Sequence, residues 1–451
     1  MPFGMRKLNE NNMAFGVKGA SKACTQVEKR DTMSQYHLET LPNGVRILTE
    51  PISSVRSAAL GIWVATGSRG EAASESGAAH FIEHMLFKGT TANTAAQLAG
   101  RMDAIGGQLN AFTTKECTCF YVHALDSHLP EGLDILTGMF FDSKFAQEDV
   151  ETERGVVLEE IGMYRDDPAD LCAERLAAAV FHGTPLARPI LGKKATLDKM
   201  TGDWLKDYKE RHYLPDKVIV SLAGSYSDEV VAEIRRRFSD MTPGKAPKIK
   251  AGKYTPGVTL KRKATEQNHL ILAFPAIDNR DDRRFTLQLL SSILGGGMSS
   301  RLFQQVREQQ GLCYNIYTYG SSFADIGIFC IATAQSKDTE MQTIAGIKKV
   351  IDEFLADGAT EEELHHVREL AKANVLMGIE STTAHMNHMA RSVLNGEEIL
   401  TPDEIIAAYD AVTLENLKAL AEEMFRWENA SLSVVGKVAE EETYRELIYN
   451  R

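Results

Sequence analysis

The chain has 451 residues, 43% of them hydrophobic, enough to bury two ordinary cores; a prior of about 100–200 residues per domain suggests two or three domains. Its formal net charge of −12 argues against a nucleic-acid binder, which normally presents a basic face. Six cysteines occur without a C-x-x-C pair, and the longest apolar run, near Ala58–Ala65, is too short to span a bilayer, so no membrane span is expected and a reducing cytoplasm is the expected setting.

Residues 1–33 are mildly basic and weak in hydrophobic pattern, so disorder is expected there, with the folded chain entering at Tyr36 and Met33 a candidate true start. A cleaved organellar presequence, which would place the protein in an organellar matrix, is the alternative. Glu10, Glu28 and Asp31 count against it, because such peptides are poor in acids.

The most informative stretch is His80-Phe81-Ile82-Glu83-His84. Residues at i, i+3 and i+4 share one face of a helix, so two imidazoles and a carboxylate point the same way. Two neutral imidazoles one turn apart suit Zn²⁺, which keeps a position open for water in catalytic sites. The carboxylate between them is then placed to take a proton from that water, in the H-x-x-E-H order. Chance produces such a pattern in histidine-containing chains. Here, however, Gly77-Ala78-Ala79 and Met85-Leu86-Phe87 flank it, and burying three titratable groups in apolar company is costly unless a cation or hydrogen bonds satisfy them.

Gln108 to Leu125 alternates and is rich in Phe, Thr, Tyr and Val, which predicts a strand carrying Cys117 and Cys119 as packed thiols. An edge strand near the metal would hold an extended peptide by main-chain hydrogen bonds. Phe145 to Tyr164 predicts an amphipathic helix rich in glutamate. Glu153 and Glu160, seven residues apart, return to nearly the same face. Glu160 is assigned as the third ligand and Glu153 as a carboxylate orienting a histidine, with Glu159 the rival ligand.

Pro, Gly and Lys concentrate around residues 243–257, which reads as a linker between domains at 34–242 and 258–451. The halves echo each other: Val218–Gly224 parallels Ala430–Gly436, and the acidic helix at Glu148–Tyr164 has a counterpart at Glu361–Met377 that lacks the His/Glu set. The fold class is therefore α+β, with two similar domains per chain, each a mostly antiparallel sheet with helices packed on one face. Gly295-Gly296-Gly297 lacks a following Gly-Lys-Ser/Thr and reads as an element junction rather than a phosphate loop.

Several separated stretches, in order, resemble the pitrilysin/insulinase family of inverted-motif zinc peptidases, in its single-length processing-peptidase branch. They are Gly77 to Thr90, Gly106 to Thr113, Glu153 to Ile161 and Gly297 to Phe303, and the similarity runs from about Tyr36 to the C-terminus. The resemblance implies one Zn²⁺ per chain on His80, His84 and Glu160, with Glu83 as general base. It implies that Arg307 and Tyr314, seven apart, bind the substrate carbonyl region, and that substrate docks at Asn110, Ala111 and Phe112. It also implies two such domains per chain and a chamber formed by two subunits. Carrying both the zinc set and the Arg/Tyr pair makes a homodimer the most economical assembly, with a heterodimer with an inactive paralogue as alternative. The activity implied is a zinc endopeptidase acting on peptides, leader segments or unfolded protein. A non-catalytic partner subunit and a zinc store or sensor are the competing readings, and neither accounts for Glu83 beside intact ligands.

Overall fold

The computed structural model describes residues 36–450. The expected disorder of residues 1–33, and the question of a start at Met33, lie outside the described residues.

Two sheets organise the chain. The first has six strands in the order β1 (His37–Thr40), β2 (Arg46–Pro51), β6 (Val218–Gly224), β3 (Ser57–Val64), β5 (Thr118–Leu125) and β4 (Gln108–Thr113). The second has five: β7 (Val258–Arg262), β11 (Ser431–Gly436), β8 (Asn268–Ala276), β10 (Gly327–Gln335) and β9 (Cys313–Ser322). Leaving β1 aside, the orders match strand for strand. Each sheet has one parallel pair at the same place, β2 with β6 and β7 with β11, and is otherwise antiparallel. The fold is α+β with two similar domains, and residues 243–257, before β7, form neither helix nor strand.

In the first half, helices α1 (Ala78–Leu86) and α2 (Ala95–Ala104) lie between β3 and β4, α3 (Leu129–Asp142) and α4 (Gln147–Asp166) come after β5, and α5 (Pro168–Val180) continues from α4 after Asp167. One face of the first sheet, including Leu60, Ile62, Phe120, Val122, Val220 and Leu222, packs against Phe81 and Met85 of α1 and Leu133, Leu136 and Phe140 of α3.

The opposite face is covered from the other half. Leu48, Ala59, Trp63, Cys119 and Ile219 meet Met386, Met389 and Ala390 of the helix Thr382–Asn395. The approach is close: a Cβ on Gly61 would stand 2.7 Å from the Met386 sulfur. The exchange is reciprocal. Cys172, Leu176 and Val180 of α5 cover Ile271, Ala273, Ile328, Cys330 and Val435 of the second sheet. With both faces covered, β6 and β11 are buried along their whole length, which is why they read as near-continuous small and apolar runs.

The stretch Gln108–Leu125, expected as one strand, is a hairpin: β4 and β5 pair antiparallel across a turn at Thr114–Cys117. The Thr114 hydroxyl accepts the N–H groups of Glu116 and Cys117, which turns the chain without glycine or proline. Cys119 is in β5, Cys117 in the turn, and both pack behind the first sheet. Among the described residues no helix is long and apolar enough to cross a membrane.

Candidate metal centre

α1 is apolar almost all round, and eight of its nine residues are buried. It lies between β4 and α4, so its His80/Glu83/His84 face looks at α4. That longer helix buries Val150, Glu153, Val157, Glu160 and Ile161, a single stripe in which the two glutamates sit two turns apart. Glu159 is exposed and faces away; burial separates it from Glu160.

Glu160 Oε2 lies 3.5 Å from His80 Nε2 and 3.5 Å from His84 Nε2. The three donor atoms fall within 4.8 Å of one another. Tetrahedral ligands at zinc–ligand lengths of about 2.0–2.1 Å stand about 3.4 Å apart, so the spacing fits that ion. Two observations bear on fit. His84 Nε2 and Glu160 Oε2 are buried without a hydrogen-bond partner among the described residues, a costly state unless a further group binds there. The donor set, two imidazoles and one carboxylate, is also the one zinc takes in hydrolytic sites.

Around this set, Glu153 Oε1 holds His84 Nδ1 at 2.8 Å, and Lys88 pairs with the other oxygen of Glu153. With the proton on Nδ1 held by Glu153, the Nε2 lone pair is left free to bind a metal. Glu83 is 6% exposed, and its Oε2 accepts a hydrogen bond of 2.5 Å from Thr113 at the end of β4.

Burial pushes the His80 ring down to about 4, keeping it neutral. Burial likewise pushes Glu83 up to about 7, within reach of neutral pH for a group that takes and returns a proton. Burial also opposes charge on His84, but the carboxylates of Glu153 and Glu160 outweigh it and raise that ring to about 9. A metal at Nε2 and a proton at Nε2 are alternatives, so the two carboxylates that favour the cation favour either occupant.

The Arg307/Tyr314 pair lies in the second half. Arg307 belongs to a π-helical turn, Phe303–Gln309, and donates to the Tyr314 carbonyl at 2.7 Å while stacking over Phe303. Tyr314 is the second residue of β9, an edge strand, and is 76% exposed. These contacts all lie within the second half. Asn110, Ala111 and Phe112 sit on β4, the edge strand of the first sheet, next to α1. Their side chains diverge: Asn110 is exposed, Ala111 packs toward the helices, and Phe112 stacks edge-on against Trp63 at 5.4 Å. Thr113 and Lys88 were not foreseen from sequence; the alternation of β4, which puts Thr113 on the helix side with Ala111, was the available signal for the first.

A buried His/His/Glu cluster beside a buried carboxylate, on a duplicated α+β scaffold, is the arrangement of a metallopeptidase. Residues 46–194 match the family described as Insulinase (Peptidase family M16), and residues 199–370 match the Peptidase M16 inactive domain. A relative from Bacillus subtilis named uncharacterized zinc protease YmxG is 39% identical over 86% of this chain and 95% of its own. Another zinc protease, from Streptomyces coelicolor, is 37% identical over 95% of each. The structure of a protease from Helicobacter pylori superposes with a TM-score of 0.82 at 18% identity, covering 89% of this chain and 99% of that one, a likeness of fold. The chain belongs to the insulinase family, Peptidase family M16, and is a zinc-dependent metallopeptidase.

Proposed function

We propose that the protein is an endopeptidase that hydrolyses peptides or unfolded segments held as an added strand along β4, with one zinc ion per chain on His80, His84 and Glu160. The observation that carries this reading is the meeting of Glu160 Oε2 with His80 Nε2 and His84 Nε2, each at 3.5 Å, with Glu83 on the same face of the histidines' helix.

Zinc held there supplies Lewis acidity, which acidifies a water and polarises a carbonyl. Glu83 takes the proton of the attacking water and returns it to the leaving amine. Burial raises its affinity for the proton above that of a free carboxylate, which suits it to accept one. Thr113 occupies one oxygen of Glu83 and leaves the other for the water. Glu153 keeps His84 in the orientation its ligand role needs. The backbone of β4 aligns the substrate, so recognition falls on main-chain groups rather than particular side chains. Asn110, Ala111 and Phe112 would then contribute chiefly through their amides and carbonyls.

Arg307 and Tyr314 would stabilise the developing oxyanion of a site on a second subunit in a homodimer. The exposed Tyr314 and the π-helical turn carrying Arg307 support that reading, since π-turns are frequent at functional positions. The cytoplasm is the proposed location; the five described cysteines are all unpaired, in keeping with a reducing compartment.

Mixing two inactive proteins tests whether one subunit completes the site of the other. A Glu83→Gln protein and an Arg307→Ala, Tyr314→Phe protein, each inactive on a quenched peptide, should regain chelator-sensitive cleavage when subunits exchange, because one hybrid site is then complete. No recovery from demonstrated hybrid dimers would contradict completion in trans.

A further inference from the structure

The metal-bearing helix starts without a cap of its own. The residue at its N-cap, Gly77, sits at φ +99 and has no side chain to accept the free amides of the first turn. Nor is there room for one: a Cβ there would stand 2.8 Å from the Leu191 carbonyl oxygen and 2.9 Å from Gly192 Cα. Glu71, six residues upstream, supplies the acceptors instead. Its Oε2 accepts the Gly77 N–H and its Oε1 the Ala79 N–H, both at 2.9 Å. The side chain belongs to a residue only 3% exposed.

The segment that carries Glu71 is itself fastened. The Glu71 carbonyl accepts from Arg188, the Arg188 carbonyl accepts from Lys115, and Thr196 donates to the Ser76 carbonyl at 2.7 Å. Two residues earlier, buried Arg69 pairs with Glu116 at 2.5 Å and with Asp325 of the second half at 2.6 Å. Burial pushes Glu71 up to about 8, against the two amides, which lower it; the geometry, with both oxygens accepting an N–H, is the arrangement that the ionised form satisfies.

We propose that Glu71 is a positioning residue for the metal centre: by gripping the first turn of α1 it fixes where His80, one residue beyond the Ala79 amide, presents its imidazole. A nine-residue helix has few internal hydrogen bonds to hold its register, so its placement depends on anchors at the ends. This inference rests on the reading of His80 as a ligand.

The test compares Glu71→Gln, His80→Ala and, as control, Glu75→Gln, a nearby carboxylate that bonds the Ala72 amide instead. An amide at position 71 offers one acceptor, so one first-turn N–H must face an NH₂. Zinc affinity, read by competition with a chromophoric chelator, should fall about 10–100-fold in E71Q. The visible absorption of the Co²⁺-loaded protein should shift, and the metal-free melting profile should stay cooperative. The control should match the unsubstituted protein. Unchanged zinc affinity and cobalt spectrum in E71Q, with H80A losing the metal, would overturn the positioning role alone. Retention of zinc by H80A would remove the ligand reading and this proposal with it. Should E71Q fail to fold, amide exchange in the unsubstituted protein decides: Ala79 should be as protected as Phe81, and exchange at an unprotected rate would overturn the proposal.

Discussion

Glu153 holds the Nδ1 side of His84 at 2.8 Å while the Nε2 side stands 3.5 Å from Glu160, so one imidazole joins the two acids of α4. If Glu153 orients the ligand, Glu153→Gln should leave a folded protein whose zinc affinity is lower by about 10–100-fold, measured by chelator competition. Undiminished affinity would make the pair a bystander.

Glu83 bonds Thr113 and lies among none of the three proposed donors. Glu83→Gln should therefore keep zinc at the unsubstituted level and lose turnover by about 10²–10⁴-fold. Metal analysis alongside single-turnover cleavage checks both halves of that statement.

His84 gives a pH dependence with a definite sign. Its folded-state value in the metal-free protein, about 9, lies above the ordinary 6.5 because of Glu153 and Glu160, against burial. A raised value means that its contribution to metal-free stability is fully present below pH 6.5 and is lost as pH rises through about 9. Zinc must displace that proton, so zinc affinity should climb from pH 7 to 9 with release of a proton on binding. Calorimetry in buffers of different ionisation enthalpy measures the release. A flat affinity over that range would count against the coupling.

Met386 plugs the face of the first sheet behind Trp63 and is fully buried. Met386→Ala should cost about 2–5 kcal/mol in urea unfolding. Because this contact lies on the side of the sheet away from α1, zinc affinity of the folded fraction should be unchanged.

Much of the site was legible because helical periodicity is local. The i, i+3, i+4 spacing of His80, Glu83 and His84, and the seven-residue return from Glu153 to Glu160, are properties of one helix each. The choice between Glu160 and Glu159 was harder to read, since it depends on which face α4 turns to α1, a tertiary fact that burial records and spacing does not. The hairpin at Thr114–Cys117 was missed because a threonine hydroxyl, rather than glycine or proline, makes the turn. The reciprocal exchange of α5 and the helix Thr382–Asn395 was invisible for a similar reason: an apolar stripe states that a helix is buried, not against which sheet.

The measurement closest to the centre of this account is zinc content and affinity in Glu160→Gln beside Glu159→Gln, two neighbours on one helix, one buried against the histidines and one exposed. E160Q should lose stoichiometric zinc and cleavage together, while E159Q keeps both. Full zinc occupancy in E160Q, or its loss in E159Q, would contradict the proposed ligand set.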